Sequence, residues 1–421
     1  MNSLSTETQV AIHRIVTVWL LVWAFCLPIS IAGSSVLYFP LLGLYVLGVY
    51  WTFRIWPPSW GRIEILFLIF WGVSVISALA GADPMHSRVR LGKDLYFMIV
   101  ILLGALTTNQ ESRDRLMKYF LWGSLMAAAM GVLQYVCGVN QTDSHGGTFL
   151  HLPTVMAHWP RPLLDLLSLV DGRATGPRSH PITYAESLLF PIAYVLSLLT
   201  DNSWNPGWKG FLWLGILVAA LIVSQSRGAW IAFLVMGAVL LLLDPNARVM
   251  HRLAWIVILP LVLVLCVPSM RHRVQSISNT GYLPNAERLI MWQVGEKIFK
   301  AHPVLGIGPG NVVLVSPQYQ TKEQNQQFGP WGHLHNTFIT IAVERGGVGL
   351  IAFLIFILTL AWQLFEAYQR DRQSAHTNRV IYLTALLSLA GWLVCGLTEA
   401  TYNDSTIAMM FYFVMGLALA S

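Results

Sequence analysis

The stretch HLHNTFITIAVERGGVGLIAFLIFILTLAWQL, residues 333–364, places two imidazoles and an amide (His333, His335 and Asn336) at the mouth of a long apolar run. A membrane-spanning helix needs about 20 mainly apolar residues, so a polar loop ends here against a bilayer. Titratable side chains at such a boundary have one foot in water and one at the lipid surface. An enzyme acting on a lipid-linked substrate would keep its base there.

Outward from that stretch the rest of the chain reads the same way. Of 421 residues, 55% are hydrophobic and 11% charged, which marks an all-α polytopic membrane protein. Apolar windows fall at 15–33, 35–53, 63–81, 94–108, 117–137, 184–200, 209–225, 228–243, 251–268, 336–366, 380–398 and 405–420, predicting about 12 transmembrane helices. Only a short tail ending in His13-Arg14 precedes the first window, and a second follows at once, so an uncleaved first helix is expected rather than a signal peptide. Cys26, Cys137, Cys266 and Cys395 lie in or at the end of apolar windows and read as buried structural thiols. The net charge of +6 carries little weight alone, since a basic cytoplasmic fringe is common, and nothing points to nucleic acid.

Charge fixes the expected orientation. An even number of spans puts both termini on one side, and that side collects Arg14, Arg54, Arg62, Arg113, Arg370, Arg372 and other basic residues in short segments. The short loops opposite hold only Arg88, Arg90, Lys93 and Arg227. Both termini are therefore expected in the cytoplasm. The chain reads as a single membrane domain, 1–421, with outer inserts at 138–183 and 269–335. The second insert predicts an amphipathic helix over Asn285–Ala301, with Leu289, Trp292, Ile298 and Phe299 apolar and Asn285 as N-cap. His302-Pro303 ends it before a glycine run at 306–310. The first insert suggests an interfacial segment over 150–170.

This topology gathers the unusual polar residues on the outer face. His-x-His alone is a weak metal signature, with no third ligand near it in sequence, and the glycine run lacks the strand-turn-helix setting and Lys-Ser/Thr of a phosphate loop. A lone arginine at a membrane boundary would be read as snorkelling. Several converging on one face, Arg227, Arg288, Arg88, Arg90, Lys93, Arg173 and Arg178 with His180 beside them, suggest a polyanion site. A guanidinium fork donates two parallel charge-assisted hydrogen bonds to phosphate and stays ionised.

His335-Asn336 is followed by nine residues, Gly346, two residues and Gly349, which resembles the His-Asn-x9-Gly-x-x-Gly signature of bacterial O-antigen ligases. Ser226-Arg227-Gly228-Ala229 resembles the Ser-Arg-Gly element of the wider family of O-antigen ligases, polymerases and oligosaccharyltransferases. Arg288-x3-Trp292 through His302-Pro303-Val304-Leu305-Gly306-Ile307-Gly308 is similar to that family's outer-loop pattern. These elements cover roughly 226–349; the remainder matches at the level of topology.

The resemblance implies a GT-C-like, metal-independent glycosyltransferase without cofactor. It would move a glycan from undecaprenyl pyrophosphate to a sugar hydroxyl of the lipid A core, on the periplasmic side of the bacterial inner membrane. Donor, acceptor and membrane lipids would be its partners. The residues suit that chemistry: His335 as base for a sugar hydroxyl, with Asn336 orienting it, and Arg227 and Arg288 against the leaving pyrophosphate. Arg88, Arg90, Lys93, Arg178 and His180 are further phosphate-gripping candidates. Glu399 and Asp404, in the last outer turn, rank low. An O-antigen polymerase and a protein oligosaccharyltransferase remain close alternatives. A secondary transporter is the reading from another class, favoured only by Glu344-Arg345 some ten residues into the apolar run before Gly346-Gly347.

Overall fold

In a computed structural model, the chain is described over residues 6–44, 61–107, 109–137, 139–140, 168–170, 172–201, 208–244, 268–277, 279, 281–373 and 378–420. Within these residues it is helical: α1 (Thr6–Cys26), α2 (Ile31–Leu44), α3 (Arg62–Ala80), α4 (Pro84–Asp94), α5 (Met98–Leu106), α6 (Gln110–Cys137), α7 (Pro181–Thr200), α8 (Trp208–Val223), α9 (Arg227–Leu243), α10 (Pro268–Gln275), α11 (Leu283–Ala301), α12 (Val312–Val315), α13 (Lys322–Phe328), α14 (Thr337–Gln373), α15 (Arg379–Gly396) and α16 (Ser405–Leu419). A two-residue parallel pairing of Val139–Asn140 with Ser168–Leu169 is the exception.

By length and composition α3, α6, α7, α14 and α15 can each cross a membrane, and α2, α8, α9, α16 and the second half of α1 are shorter apolar helices. A membrane protein results, since these faces carry large apolar side chains outward, Leu79, Ile351, Leu358 and Trp362 among them. At the centre stands α7, buried along nearly its whole length and packed on α15, α8, α16, α9 and α6. Around it α14 lies on α3, α9 on α15, and α5 on α16.

Several expected boundaries shift. The window at 15–33 is cut, with α1 ending at Cys26 and α2 starting at Ile31. The window at 94–108 holds no single long helix: α4 ends at Asp94, a 3-10 turn covers Leu95–Phe97, and α5 has 9 residues. Nine residues rise about 13 Å, well short of a hydrocarbon core of about 30 Å. The expected window at 251–268 and the interfacial segment at 150–170 lie outside the described residues except for Pro268 and 168–170, and Cys266 lies outside them too. Of the other thiols, Cys395 is buried, whereas Cys26 and Cys137 are only partly so.

The amphipathic helix exists as α11, with two corrections. Its N-cap is Tyr282, three residues before Asn285, and Pro284 sits in the first turn, where its missing N–H costs nothing. Its buried stripe is Met291, Val294, Gly295 and Ile298, while Leu289 is exposed. That stripe packs on Trp331, Leu334 and Val343, so α11 supports the segment carrying the paired histidines.

The long run after His335 is broken at Gly346, whose φ of 68° is helical in neither hand with its ψ of −173°. An added Cβ there would lie 2.0 Å from the Val304 carbonyl oxygen, so only glycine fits. The loop at 303–310 is sewn into the break. Ile307 and Gly308 donate to the Val343 and Glu344 carbonyls at 3.0 and 2.9 Å, and Gly347 donates to Pro303 at 2.8 Å. Under it sits a closed polar cluster. Arg345 donates to Glu344 at 3.0 Å, Ser74 at 2.8 Å and Asp94 at 3.4 Å. Glu344 also accepts from the Gly310 amide at 2.9 Å, and Asp94 from Tyr402 at 2.9 Å. The Glu344-Arg345 pair is thus a clasp on the glycine run.

Candidate functional site

The starts of α7, α9, α14 and α16 and the end of α15 meet at one end of the bundle. Four helix N-termini bring partial positive charge, a setting that favours anions. Two of them are bound together by Asp404, which caps α16 through the Thr406 and Ile407 amides and accepts from Thr183 of α7 at 2.8 Å.

Between α14 and the turn after α15, Glu399 holds a histidine and an arginine. One carboxylate oxygen accepts from His335 Nδ1 at 2.7 Å, and the other is ion-paired with Arg288 of α11. The exposed fractions are 13% for Glu399, 20% for Arg288 and 29% for His335, so the set is sheltered yet reachable. Burial alone would raise the Glu399 carboxyl. The hydrogen bond from His335 and the charge of Arg288 outweigh it and hold the group below the usual carboxylate range. Nδ1–H donation to that carboxylate leaves Nε2 as the basic nitrogen, and Nε2 has no partner among the described residues.

His333 plays a different part. Its ring lies 4.3 Å from that of His335, edge to face, and its Nδ1 accepts from the His335 backbone amide at 3.4 Å. Burial, then the neighbouring His335, lowers it to about 4, so it is neutral. Among the described residues only His335 (φ 45°) and Gln225 (φ 51°) are non-glycine residues in the left-handed region. Each costs about 1 kcal/mol, and both lie at this site.

Two cavities meet at Glu399, with Arg288 lining one and His335 the other. A smaller one of about 200 Å³ is lined by Arg173, Arg227, Arg273 and Arg288. A larger one of about 630 Å³ is lined by Arg90, Lys93, His180, His333 and His335, with Asp404 opposite. Glu399, Glu186 and Ile182 line both.

The residues singled out in the sequence divide accordingly. Arg227 donates to the Ser276 carbonyl and hydroxyl at 2.7 and 3.0 Å and to Asn285 at 2.8 Å, and sits 5.1 Å over the Tyr282 ring. It therefore ties α9 to the start of α11 while facing the smaller cavity. Gly228 beside it is closely packed: a Cβ would meet Thr398 Oγ1 at 2.9 Å, so that hydroxyl would have to shift. Arg90 and Lys93 face the larger cavity and donate to the Asn403 carbonyl at 3.3 and 3.4 Å. His180 lines that cavity too and caps α7, accepting from the Ile182 amide at 3.3 Å; burial, and next Arg173, lower its pKa.

Three lie apart. Asn336 caps α14 by accepting from the Ile339 amide and donates to the Leu397 carbonyl, so it does not orient His335; Glu399 occupies that position. Arg88 is exposed and lines neither cavity. Arg178 is buried, which lowers it to about 10, and donates to the Leu27 carbonyl at 2.7 Å. Conversely, Glu399 matters more than its place in a short turn indicated, and Arg273 and Glu186 were not singled out. Arg273 lies in the second insert, where outer-face basic residues were the available signal; Glu186 sits inside an apolar window and offered none. Among the described residues no cluster of three His, Cys, Asp or Glu side chains is placed to hold a metal ion.

Comparison with known proteins meets the same segment. Residues 212–354 match the family model described as O-Antigen ligase, which takes in Arg227, Arg288, His335 and the Gly346 break. The chain is 23% identical over 360 residues to a protein of Acinetobacter baylyi described as ComP-specific O-oligosaccharyltransferase, covering 82% of this chain and 61% of that protein. It is 25% identical over 185 residues to an uncharacterized protein of Haemophilus influenzae, covering 40% of this chain and 46% of the relative. The chain thus spans less than two thirds of either relative's length. Over residues 212–354 the resemblance to the O-antigen ligase family holds.

Proposed function

We propose that this protein transfers O-antigen polysaccharide from undecaprenyl pyrophosphate to a sugar hydroxyl of the lipid A core on the periplasmic face of the bacterial inner membrane. The observation that carries the reading is the His335–Glu399–Arg288 set standing between a cavity lined by arginines and one lined by histidines. In this reading the protein has about 12 spans in a GT-C-like arrangement, with 138–183 and 269–335 as periplasmic inserts of one membrane domain and both termini in the cytoplasm.

The pyrophosphate occupies the smaller cavity against Arg227 and Arg288, with Arg273 as a third cation. The acceptor enters the larger one, where Arg90 and Lys93 face phosphates of its core. His335 Nε2 takes the proton of the attacking hydroxyl. The hydroxyl oxygen bonds to the anomeric carbon as the bond to pyrophosphate oxygen breaks on the far side, so configuration inverts. Glu399 stabilises the imidazolium, as a carboxylate does for a catalytic histidine elsewhere, and is worth roughly 10–100-fold. Negative charge on the leaving pyrophosphate is met by fixed guanidinium groups. An activated donor and these cations make the step independent of a metal or other cofactor.

A second reading follows from the name of the Acinetobacter baylyi relative, an oligosaccharyltransferase specific for ComP: the acceptor would be a protein hydroxyl. Purified protein given one labelled lipid-linked glycan with lipid A core, a lipid-linked repeat unit and a protein acceptor in parallel separates the readings. Label on lipid A core supports the ligase. Label on the repeat or the protein replaces it with a polymerase or a protein glycosylating enzyme, and solute counterflow without transfer would point to a transporter.

A further inference from the structure

Glu186 has no role in the chemistry above, yet its position is unusual. It lies in the second turn of α7, a helix otherwise buried among apolar side chains such as Ala185, Leu188 and Leu189, and is itself 5% exposed. It lines both cavities, and its Oε1 has no hydrogen-bond partner among the described residues. An unpaired buried carboxyl is costly unless something supplies a donor. The charged groups around it are Glu399 and Asp404, which repel, and Arg288, which is already ion-paired with Glu399.

The ligand's chemistry narrows what that donor can be. Pyrophosphate offers acceptor oxygens only and cannot supply the donor that Oε1 lacks. A sugar ring offers O–H and, where acetamido groups are present, N–H donors. On the proposed function, one sugar must bridge the two cavities. It is the first sugar of the donor, whose anomeric carbon carries pyrophosphate toward the arginines and is attacked from the side of His335. Glu186 and Ile182, one helical turn apart, line both spaces at that seam.

We propose that Glu186 binds the hydroxyl or amide N–H groups of the donor's first sugar and so selects the sugar on which transfer occurs. It acts as a specificity residue that holds the ring, with no proton transfer assigned to it. This inference rests on the glycan-transfer reading.

The test uses the full chain in lipid nanodiscs, with a lipid-linked glycan donor and purified acceptor, and compares wild type, E186Q and E186A. Both variants should raise the donor KM about tenfold, the scale of one lost buried hydrogen bond, with acceptor KM unchanged and kcat little altered. An unchanged donor KM in E186Q would overturn the inference; so would a rise confined to the acceptor, or tighter donor binding, which would make Glu186 merely repulsive to pyrophosphate. If E186A does not insert, the isosteric E186Q decides. As an independent readout, undecaprenyl pyrophosphate bearing one sugar should raise the wild-type melting temperature more than bare undecaprenyl pyrophosphate; equal shifts would overturn the proposal without any variant. No transfer by the wild type would bring down the function itself, whereas transfer with wild-type donor KM in E186Q brings down only the role of Glu186.

Discussion

Two carboxylate–guanidinium clusters sit at either end of the nine residues between Asn336 and Gly346, built from similar groups and put to opposite uses. Around Arg345 every charge is enclosed, with Arg345 and Glu344 at 0% and Asp94 at 2% exposed. Serine, tyrosine and backbone partners supply the remaining hydrogen bonds. Around Glu399 the charges open on two cavities, and His335 keeps a ring nitrogen in reserve. A network whose valences close on themselves is scaffold, because any ligand would have to break it. One left open at its edge can exchange a proton or receive an anion.

The contrast is open to direct attack. H335A should lower glycan transfer by about 10²–10⁴-fold while the protein is made and inserted normally; lipopolysaccharide from a ligase-null strain carrying it should show core without polymer on a gel. Wild-type ladders would remove the base assignment. R345L, at the closed cluster, should instead cost about 3–5 kcal/mol of stability, since Glu344 and Asp94 lose their counter-charge in a buried setting. Melting in detergent would show it, and a normal melting temperature with lost transfer would erase the distinction between the clusters.

E399Q should reduce kcat by roughly 10–100-fold with a folded protein, measured as turnover on purified lipid-linked donor. R227K should lose about tenfold in kcat/KM, because one ammonium cannot reach Ser276 and Asn285 and still present a fork to phosphate; full activity would mean that plain charge suffices. H333Q should do least. With its pKa lowered to about 4, His333 is already neutral above that pH, so the variant's pH–rate profile should superpose on that of the wild type there. Loss of the acid limb in H333Q would exchange the roles of the two imidazoles.

The open cluster was only half legible in the sequence. His335 could be singled out because His335-Asn336 with its nine-residue spacing to Gly346 resembles the O-antigen ligase signature, and that spacing has a structural cause: the glycine marks where the loop at 303–310 enters the helix. Glu399 could not, because it lies 64 residues from His335 and a carboxylate in a short turn carries no periodicity. Asn336 was misread as the orienting partner since adjacency in sequence says nothing about a residue that caps its own helix. Arg88 and Arg90 look alike in sequence, yet two steps along a helix turn one outward and the other to the cavity. Hydropathy found most of the apolar helices but did not place the break after Cys26, where Pro28 stands two residues on, or the one at Leu95–Phe97.

The break at Gly346 also decides what the base is anchored to. Beyond it α14 continues for 27 residues, about 40 Å, more than a hydrocarbon core requires, and a helix of that length answers a thinner or thicker bilayer by tilting. The short arm from Thr337 to Arg345 is fastened to the 303–310 loop and to α11 instead. On the proposed function, the spacing of His335 and Arg288 is therefore set by the packing of this arm on α11 rather than by the length of the lipid-facing shaft.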